Sequence, residues 1–325
     1  MKKTLLATVA ALAAVALLPT TAAAQPHANY PDKPITIVVG YPPGGSTDLT
    51  GRTVANELAR KLNATVVVEN VGGAGGAIGA QKVINAAPDG YTLLVGANNE
   101  IAINRMVSSA VRYRWQDFTP IGLVASQPLV LVAAPRAGVK TTEEFVRKVK
   151  ANPGKFSYGS SGVGTALHLA GEMVKEQGGM FMTHIPYRGV APLTTDLLGN
   201  SLEYGVFVLS SGLPHIRSGK VVALGTTEKK RSPVTPDIPA LAENATLKNT
   251  DISVWFALMG PAKLPEPIVA KLKKALADSL QTPEFRKKLE DAGSTLAPLN
   301  VEMQKFLTDE TAKYQKIVDF AKIRE

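Results

Sequence analysis

The stretch ITIVVGYPPGGSTDLTGR, Ile35 to Arg52, carries the local signal that decides the fold. A five-residue run typical of a buried strand, with four apolar residues, stops at Gly40, and a helical pattern begins at Ser46. Two prolines and three glycines separate the strand from the helix. Turns from a strand to a helix are where many α/β proteins hold their ligands, so this loop is the first candidate site.

The same alternation of strand and helix continues along the chain. ITIVV, TVVVEN, YTLLVG and LVLVAA are apolar runs typical of buried strands, and helical patterns such as TGRTVANELARKL lie between them. Thr141 and Glu144 form a capping box at the start of a further helix. Late in the chain comes one more strand, ISVWFALMG, and then three helices. This rhythm predicts an α/β fold with parallel, doubly wound sheets.

The N-terminal segment has the features of a secretory signal peptide. Two lysines precede an apolar run from Thr4 to Leu18, and Ala22 and Ala24 form an A-x-A pattern before Gln25. The run is shorter than the roughly 20 residues that span a bilayer. No cysteine stands at the cleavage point, which excludes a lipid anchor there. We therefore expect residues 1–24 to be removed and the remaining chain to be exported.

Composition excludes several classes of function. The 325 residues include no cysteine, which rules out disulfides, thiol catalysis and thiolate metal sites. The formal net charge is +9, but the basic residues are spread along the chain, with one dense run at 229–231. Aromatic residues make up only 6%. Nucleic-acid binders usually cluster basic and aromatic residues, so this pattern favours small anionic molecules as partners.

A second loop repeats the chemistry of the first. FSYGSSGVGTALH, residues 156–168, is again a strand, a Gly/Ser loop and a helix start, about 115 residues further on, which is the size of one domain. The N-terminus of a helix offers unpaired backbone amides and a partial positive charge, which suit an anion. Two such loops facing each other across a cleft would fit a dicarboxylate or a clamped carboxylate. The alternative is that both are ordinary caps, in which Ser46 and Thr165 serve only their own helices.

Motifs that would indicate an enzyme are absent from the sequence. It contains no G-x-S-x-G elbow, no P-loop, no G-x-G-x-x-G fingerprint and no H-E-x-x-H. The four histidines, at 27, 168, 184 and 215, show no metal-ligand spacing. His168 is expected to be a packed or capping residue, and Asp48 is first of all a partner of the helix dipole. We predict no cofactor and no metal.

Six segments together resemble the periplasmic solute-binding receptors of tripartite tricarboxylate transporters, the Bug family. They are YPDKPITIVVGYPPGGSTD, ENVGGAGGAIGAQKVINAAPDGYTLL, FSYGSSGVGTALHLAGEM, HIPYRGVAPLTTDLLGN, GLPHIRSGKVVALGTTEKKRSPVTPDIPALAE and WFALMGPAKLPEPIVAKL. The resemblance implies a two-lobed periplasmic binding protein of type II, with a doubly wound sheet flanked by helices in each lobe. Lobe 1 would comprise residues 30–124 and 233–325, and lobe 2 residues 125–232.

The resemblance also implies a ligand site made from both loops, the end of the third strand and the PYRG turn. The candidate ligand-binding residues are Tyr41, Pro43, Gly44, Gly45, Ser46, Thr47, Asp48, Asn98, Ser160, Ser161, Gly164, Thr165, His168, Tyr187, Arg188 and Phe207.

Four of these candidates carry expectations about the ligand. Tyr41 and Tyr187 would be ring walls that sandwich the ligand, unless they pack in the core. Arg188 could take a second carboxylate in a bidentate fork, unless it is a solvated surface residue. Phe207 stands where the family usually has an acid, which argues against an amino acid and for a ligand with an apolar or aromatic body.

The sequence thus predicts a monomeric periplasmic receptor that delivers a di- or tricarboxylic or aromatic acid to the membrane permease subunits of a tripartite transporter. Two alternatives remain at this point: a ligand sensor acting on a membrane kinase, and an exported hydrolase or lyase that uses Asp48 or His168 as its base. The sequence does not name the ligand.

Overall fold

The computed structural model describes residues 29–323, which contain ten strands. The strands are β1 (Ile35–Val39), β2 (Val66–Asn70), β3 (Thr92–Ala97), β4 (Phe118–Ala133), β5 (Ser157–Ser160), β6 (Thr183–Pro186), β7 (Tyr204–Val208), β8 (Val222–Thr226), β9 (Ser253–Pro261) and β10 (Thr295–Leu296). From Pro31 onward, the elements belong to one contact-dense unit.

The helices alternate with these strands. They are α1 (Ser46–Leu62), α2 (Ala77–Ile84), α3 (Asn104–Val107), α4 (Thr142–Lys150), α5 (Ala166–Gly178), α6 (Val190–Leu198), α7 (Leu209–Arg217), α8 (Glu266–Ser279), α9 (Pro283–Asp291) and α10 (Met303–Ala321). A π-helical turn, Asn99–Ile103, joins β3 to α3. The predicted strand and helix order is therefore present, and the sequence reasoning missed α7, β10 and the π-helical turn.

The first sheet has the order β2-β1-β3-β9-β4, and β10 pairs with β4. β1 runs parallel to β2 and β3, with Ile37 opposite Val68 and Leu93. β1 is buried along most of its length, as expected of a central parallel strand. α1 contacts α8 and α9, so the C-terminal helices pack onto a sheet whose parallel strands form early in the chain.

The expectation of purely parallel sheets is wrong for the middle of this sheet. β9 lies between β3 and β4 and runs antiparallel to both. Eight of its nine residues are buried, including Trp255 and Phe256, because it has a neighbour on each side and helices over it. A strand that enters a sheet from far along the chain is not constrained by a βαβ crossover, so its direction is free.

The second sheet has the order β6-β5-β7-β4, and β8 also pairs with β4. β5 runs parallel to β6 and β7, whereas β4 runs antiparallel to β7 and β8. A hydrophobic cluster fills the space between this sheet and its helices. Its buried members are Val130, Val132, Ala134, Leu193, Leu197, Leu202, Phe207, Leu209, Leu213, Val221 and Ile238.

The long strand β4 belongs to both sheets. Its first part, up to Pro128, pairs with β9, and the part from Leu129 onward pairs with β7 and β8. The returning chain passes beside this point, since Thr227 donates its amide to the carbonyl of Leu129 and its hydroxyl to that of Ile252. The lobe limits stated above, 30–124 with 233–325 and 125–232, stay a prediction: β4 changes sheets only after Pro128, and Ile238 in the returning segment still packs in the hydrophobic cluster of the second sheet.

Two further findings concern what the described residues do not contain. Within residues 29–323 no helix is long and apolar enough to cross a membrane. In the same range, no three His, Asp or Glu side chains are grouped so that they could hold a metal ion. The predicted signal peptide, 1–24, lies outside the described residues.

Candidate functional site

The first loop presents a helix N-terminus without a side-chain cap. Gly45 is the N-cap residue of α1, and no side chain accepts a hydrogen bond from the first turn. Among residues 29–323, the backbone amides of Ser46, Thr47 and Asp48 have no acceptor. Gly44 has a φ of +95°, a conformation that favours glycine. The loop therefore combines three free amides with the positive end of a 17-residue helix.

Asp48 holds this loop in shape from within. Its carboxylate accepts hydrogen bonds from the Gly44 amide (2.9 Å), the Arg52 Nε (3.0 Å) and the Asn70 Nδ2 (2.8 Å). Burial raises the pKa of Asp48, but the bonds from Arg52, Gly44 and Asn70 outweigh it and lower the pKa overall. The Asp48 carboxylate is therefore buried, ionised and fully engaged, which leaves only its backbone amide for a ligand, and the prediction that Asp48 binds ligand stays a prediction.

Tyr41 is anchored by its hydroxyl. Its Oη lies 2.6 Å from Oε2 of Glu100 and 3.0 Å from the carbonyl oxygen of Gly75. The ring remains partly exposed, whereas the neighbouring Pro43 and Gly45 are exposed. The prediction that the Tyr41 ring forms a wall of the site stays a prediction, and its hydroxyl is already engaged by Glu100 and Gly75.

The second loop is capped from within, unlike the first. Thr165 accepts a hydrogen bond from the His168 amide (3.3 Å) and is the N-cap residue of α5. The Gly164 amide donates to Nδ1 of His168 (3.1 Å), and the Gly162 amide donates to Oγ of Ser160 (3.2 Å). For Ser160, Thr165 and His168 the structure therefore favours the alternative of ordinary capping over direct ligand contact. Ser161 stays partly exposed.

A stack of buried rings lies behind the second loop. The imidazoles of His168 and His184 are 3.7 Å apart and nearly parallel, and Tyr158 stacks on His184. Burial, and then the charge of Lys175, lowers the pKa of His168 to about 4. Burial, and then His168, lowers the pKa of His184 to about 3. Both rings are therefore neutral at pH 7, and the Gly164 bond places the proton of His168 on Nε2.

Sequence reasoning missed the contact between Ser160 and His184, which are 24 residues apart. Oγ of Ser160 lies 2.7 Å from Nε2 of His184, the distance of a nucleophile–base pair. Ser160 is fully buried, however, and an imidazole whose pKa is about 3 is a poor base. The pair therefore fixes the loop.

The end of β3 connects the two loops. Oδ1 of Asn99 accepts the Ala166 amide (3.0 Å) in the first turn of α5, and the next residue, Glu100, is hydrogen-bonded to Tyr41 in the first loop. Val107 packs against Gly164, where a methyl group would lie 2.4 Å from its Cγ2. Both loops therefore adjoin one place, and the polar pair Asn99 and Glu100, directly after a strand, was the available signal for it.

Two predicted site residues lie elsewhere. Asn98 is fully buried and its Nδ2 donates to the Ser253 carbonyl (3.0 Å) and to Oη of Tyr314 (2.9 Å), so it ties β3 to β9 and α10. Phe207 is 1% exposed and belongs to the hydrophobic cluster of the second sheet. Asn98 has helical backbone angles at the start of the π-helical turn, where successive side chains point in different directions around the turn, so an error of one position is enough to misplace it.

The PYRG turn abuts the second loop. The Tyr187 amide donates to the Ser160 carbonyl (3.0 Å), and the Gly189 amide to the Ser161 carbonyl (3.2 Å). The Tyr187 hydroxyl donates to Asp196 (2.7 Å), and burial, followed by that bond, raises the pKa of Tyr187 to about 12. Arg188 is exposed and forms no ion pair with any residue in the range 29–323. It is thus a free cation beside the second loop.

Cavities lined by the described residues occur away from the loops. One of about 660 Å³ lies between β4, α8 and the start of α10, and is lined by Thr119, Lys273 and Met303 among others. Another of about 430 Å³ lies beside Arg105 and Trp115. Neither contains a residue of the two loops, so neither changes the assignment of the site.

Two sheets that share one strand, with Gly-rich strand-to-helix loops brought to one place, define a two-lobed periplasmic binding protein of type II. Residues 50–323 match the family described as "Tripartite tricarboxylate transporter family receptor". The chain belongs to this family, and the resemblance drawn from the sequence is confirmed.

Solved structures of similar proteins agree. The periplasmic binding protein BugD is 32% identical, with a TM-score of 0.79 over 91% of this chain and 100% of its own. A Rhodopseudomonas palustris protein with adipate is 28% identical, with a TM-score of 0.83 over 91% and 100% of the two chains. MatC of the same organism, with bound malate, is 29% identical, with a TM-score of 0.77 over 89% and 100%.

Proposed function

We propose that this protein is an exported periplasmic receptor that captures a small carboxylate between its lobes and delivers it to the permease subunits of a tripartite tricarboxylate transporter. The observation that carries the proposal is the uncapped start of α1, where the amides of Ser46, Thr47 and Asp48 have no acceptor among residues 29–323. An anion is the natural occupant of such a helix end. Family membership and the relatives that hold adipate and malate support the same class of ligand.

The two loops have different parts in this proposal. The first supplies the amides that grip one carboxylate, with the Ser46 hydroxyl beside them. The second is held rigid by its own caps and by the stacked histidines, so it contributes a wall and the adjacent Ser161. Arg188, exposed and unpaired within the described residues, is placed to attract a second carboxylate of a diacid.

Binding without turnover is the activity that we propose. The carboxylate of Asp48 already accepts three hydrogen bonds, so it is not available as a general base. Ser160 is fully buried beside an imidazole that is a poor base, so it is not an activated nucleophile. We further propose that the protein acts as a monomer after cleavage near Ala24. Lobe closure on the ligand would then be the signal read by the permease.

The test is a thermal-shift and calorimetric titration of the exported chain, freed of bound ligand, with adipate, malate and their methyl esters. Ligand at a hundred times its Kd should stabilise the protein by about 2.7 kcal/mol. We expect the acids to raise Tm and the esters to do so far less, because the esters lose the charge that the helix end attracts. Equal shifts for acids and esters, or none at all, would contradict carboxylate binding.

A pair of variants isolates the backbone donor. Ser46→Pro removes one amide at the first helical position, where proline is well tolerated and the extended Gly45 can precede it. Ser46→Ala removes only the hydroxyl. Hydrogen bonds to charged groups contribute about 1.5–3 kcal/mol, so Ser46→Pro should weaken carboxylate binding about 10- to 100-fold. Ser46→Ala should have a smaller effect, and both variants should keep the Tm of the free protein.

A further inference from the structure

Glu100 is a buried acid that contacts the first loop through Tyr41. It is 1% exposed and lies in the π-helical turn after β3. Its Oε1 accepts the Ala97 amide (2.7 Å), and its Oε2 lies 2.6 Å from Oη of Tyr41 in the first loop. A methyl group on Gly76 would come within 3.0 Å of the carboxyl group, so backbone closes over it from that side.

The hydrogen-bond count around Tyr41 indicates that this acid carries a proton. Oη of Tyr41 has one hydrogen and two oxygen neighbours, Oε2 of Glu100 and the carbonyl of Gly75. If Glu100 is neutral, it donates to Tyr41 and Tyr41 donates to Gly75, and every contact is satisfied. If Glu100 is ionised, the Tyr41 hydrogen is drawn to it, and Oη of Tyr41 and the Gly75 carbonyl oxygen lie 3.0 Å apart with no hydrogen between them, although Asn104 Nδ2 still donates to that carbonyl (2.9 Å).

No cation among residues 29–323 compensates this carboxyl. Within residues 29–323, Glu100 forms no salt bridge, and the titratable groups that face it are the phenols of Tyr41 and Tyr113, the latter donating to the Glu100 carbonyl (2.8 Å). Burying an unpaired carboxylate is costly. Burial accordingly raises the pKa of Glu100 to about 7, against the smaller opposing effects of the hydrogen bonds from Tyr41 and from the backbone amides of Ala97 and Glu100.

We propose that Glu100 couples carboxylate binding to the uptake of a proton. The inference rests on the proposed function, because it requires an anion at the first loop. A carboxylate held near Tyr41 makes ionised Glu100 less favourable, so the bound state takes up a proton that the free state partly lacks. By linkage, the affinity then falls as pH rises through neutrality. The receptor would capture its ligand best in acidic surroundings.

The expected change in affinity with pH follows from the pKa of Glu100 in the free protein. If a bound anion raises the pKa of Glu100 from about 7 by about one unit, affinity falls about five-fold between pH 6 and pH 8, and about 0.4 proton is taken up per ligand at pH 7. Both are measurable by titration calorimetry with adipate and malate at several pH values. Proton uptake is obtained by repeating the pH 7 titration in two buffers of different ionisation enthalpy.

Two variants make the test specific. Glu100→Gln is isosteric with the neutral acid, since its amide can donate to Tyr41 and its oxygen can accept from Ala97. Glu228→Gln is the matched control: burial and then the nearby Asp251 also raise the pKa of Glu228 to about 7, yet it lies in the segment after β8. Titration of the ligand itself is the same in all three proteins and cancels in the comparison.

We expect the wild type and Glu228→Gln to show the five-fold change and the proton uptake, and Glu100→Gln to show neither while keeping its affinity at pH 6. Binding by the wild type that is independent of pH and buffer would overturn the coupling and leave the proposed function standing. Unchanged pH dependence in Glu100→Gln would assign it to another group. Failure of both acids to bind at any pH would refute the proposed function and the coupling with it. Should Glu100→Gln not fold, the two-buffer measurement on the wild type decides alone.

Discussion

The stacked histidines should make the protein lose stability in mild acid. His168 and His184 are neutral in the folded state, with pKa values of about 4 and about 3 against an ordinary value of 6.5. Between pH 6.5 and 4 the unfolded chain therefore binds more protons than the folded one. The free energy of unfolding must then rise with pH across this window, and it falls as the solution is acidified from pH 6.5 towards pH 4.

The magnitude can be worked for His168 alone. A group whose pKa changes from 6.5 to about 4 on folding destabilises the folded state by about 2.5 kcal/mol at pH 4.5 and by close to nothing at pH 7.5. His168→Asn removes the titration but keeps an oxygen near the position of Nδ1, which accepts the Gly164 amide. Ionised carboxylates elsewhere affect both proteins equally and drop out of the difference.

The assay is urea unfolding of the wild type and His168→Asn at pH values from 4.5 to 7.5. We expect the free energy of unfolding of the wild type, relative to the variant, to be about 2.5 kcal/mol lower at pH 4.5 than at pH 7.5. Stabilities that run parallel to within about 0.5 kcal/mol over this range would refute a buried, neutral His168. His184→Gln, which keeps a partner for Ser160, repeats the test on the second ring.

Three further outcomes follow from the site. Glu100→Gln should be more stable than the wild type at pH 8, by on the order of 3 kcal/mol, because the raised pKa of Glu100 lowers the stability of the wild type as pH rises from 4.5 to 7. Urea unfolding at pH 5 and pH 8 measures this difference in stability, and no gain for the variant at pH 8 would contradict the raised pKa. Gly164 has a φ of +70°, and a methyl group there would clash with Val107, so Gly164→Ala should lower the free energy of unfolding by roughly 2–4 kcal/mol. Gly179→Ala, at an open position, should lower it by about 1 kcal/mol. Adding Val107→Ala to Gly164→Ala should recover the difference, and equal losses at the two glycines in urea unfolding would contradict the clash. Asn99→Asp should keep Tm but weaken adipate and malate binding at least ten-fold, since the added negative charge between the two loops would repel an anion held at the start of α1. Unchanged affinity would contradict binding of the carboxylate beside Asn99.

Much of the fold could be predicted from the sequence because its signals are local. The apolar run before Gly40 and the helical pattern after Ser46 appear in the structure as β1 and α1. At α4, Thr141 accepts the Glu144 amide as predicted, although the Glu144 carboxylate turns to the Lys140 amide instead of that of Thr141. The position and direction of β9 depend on contacts across more than a hundred residues, which no local pattern encodes.

The candidate site was predictable in place but not in detail. Glycine spacing and the helix starts mark both loops, yet the two differ in which amides are already used. That difference depends on His168, whose ring turns back to Gly164, and on Asn99, which reaches α5 from another strand. Side-chain direction at a strand end depends on the pairing register and on the turn that follows, so Asn98 was named where Asn99 and Glu100 make the contacts.

The strand shared by both sheets has a consequence for how the protein folds and breaks. Since β4 is hydrogen-bonded into each lobe, fraying of one sheet exposes the backbone of the strand that the other sheet needs. The lobes therefore cannot melt one after the other as independent domains joined by loose linkers would. Unfolding by heat or denaturant should therefore be a single cooperative transition, and proteases should not cleave the native protein at the point where β4 crosses between the lobes.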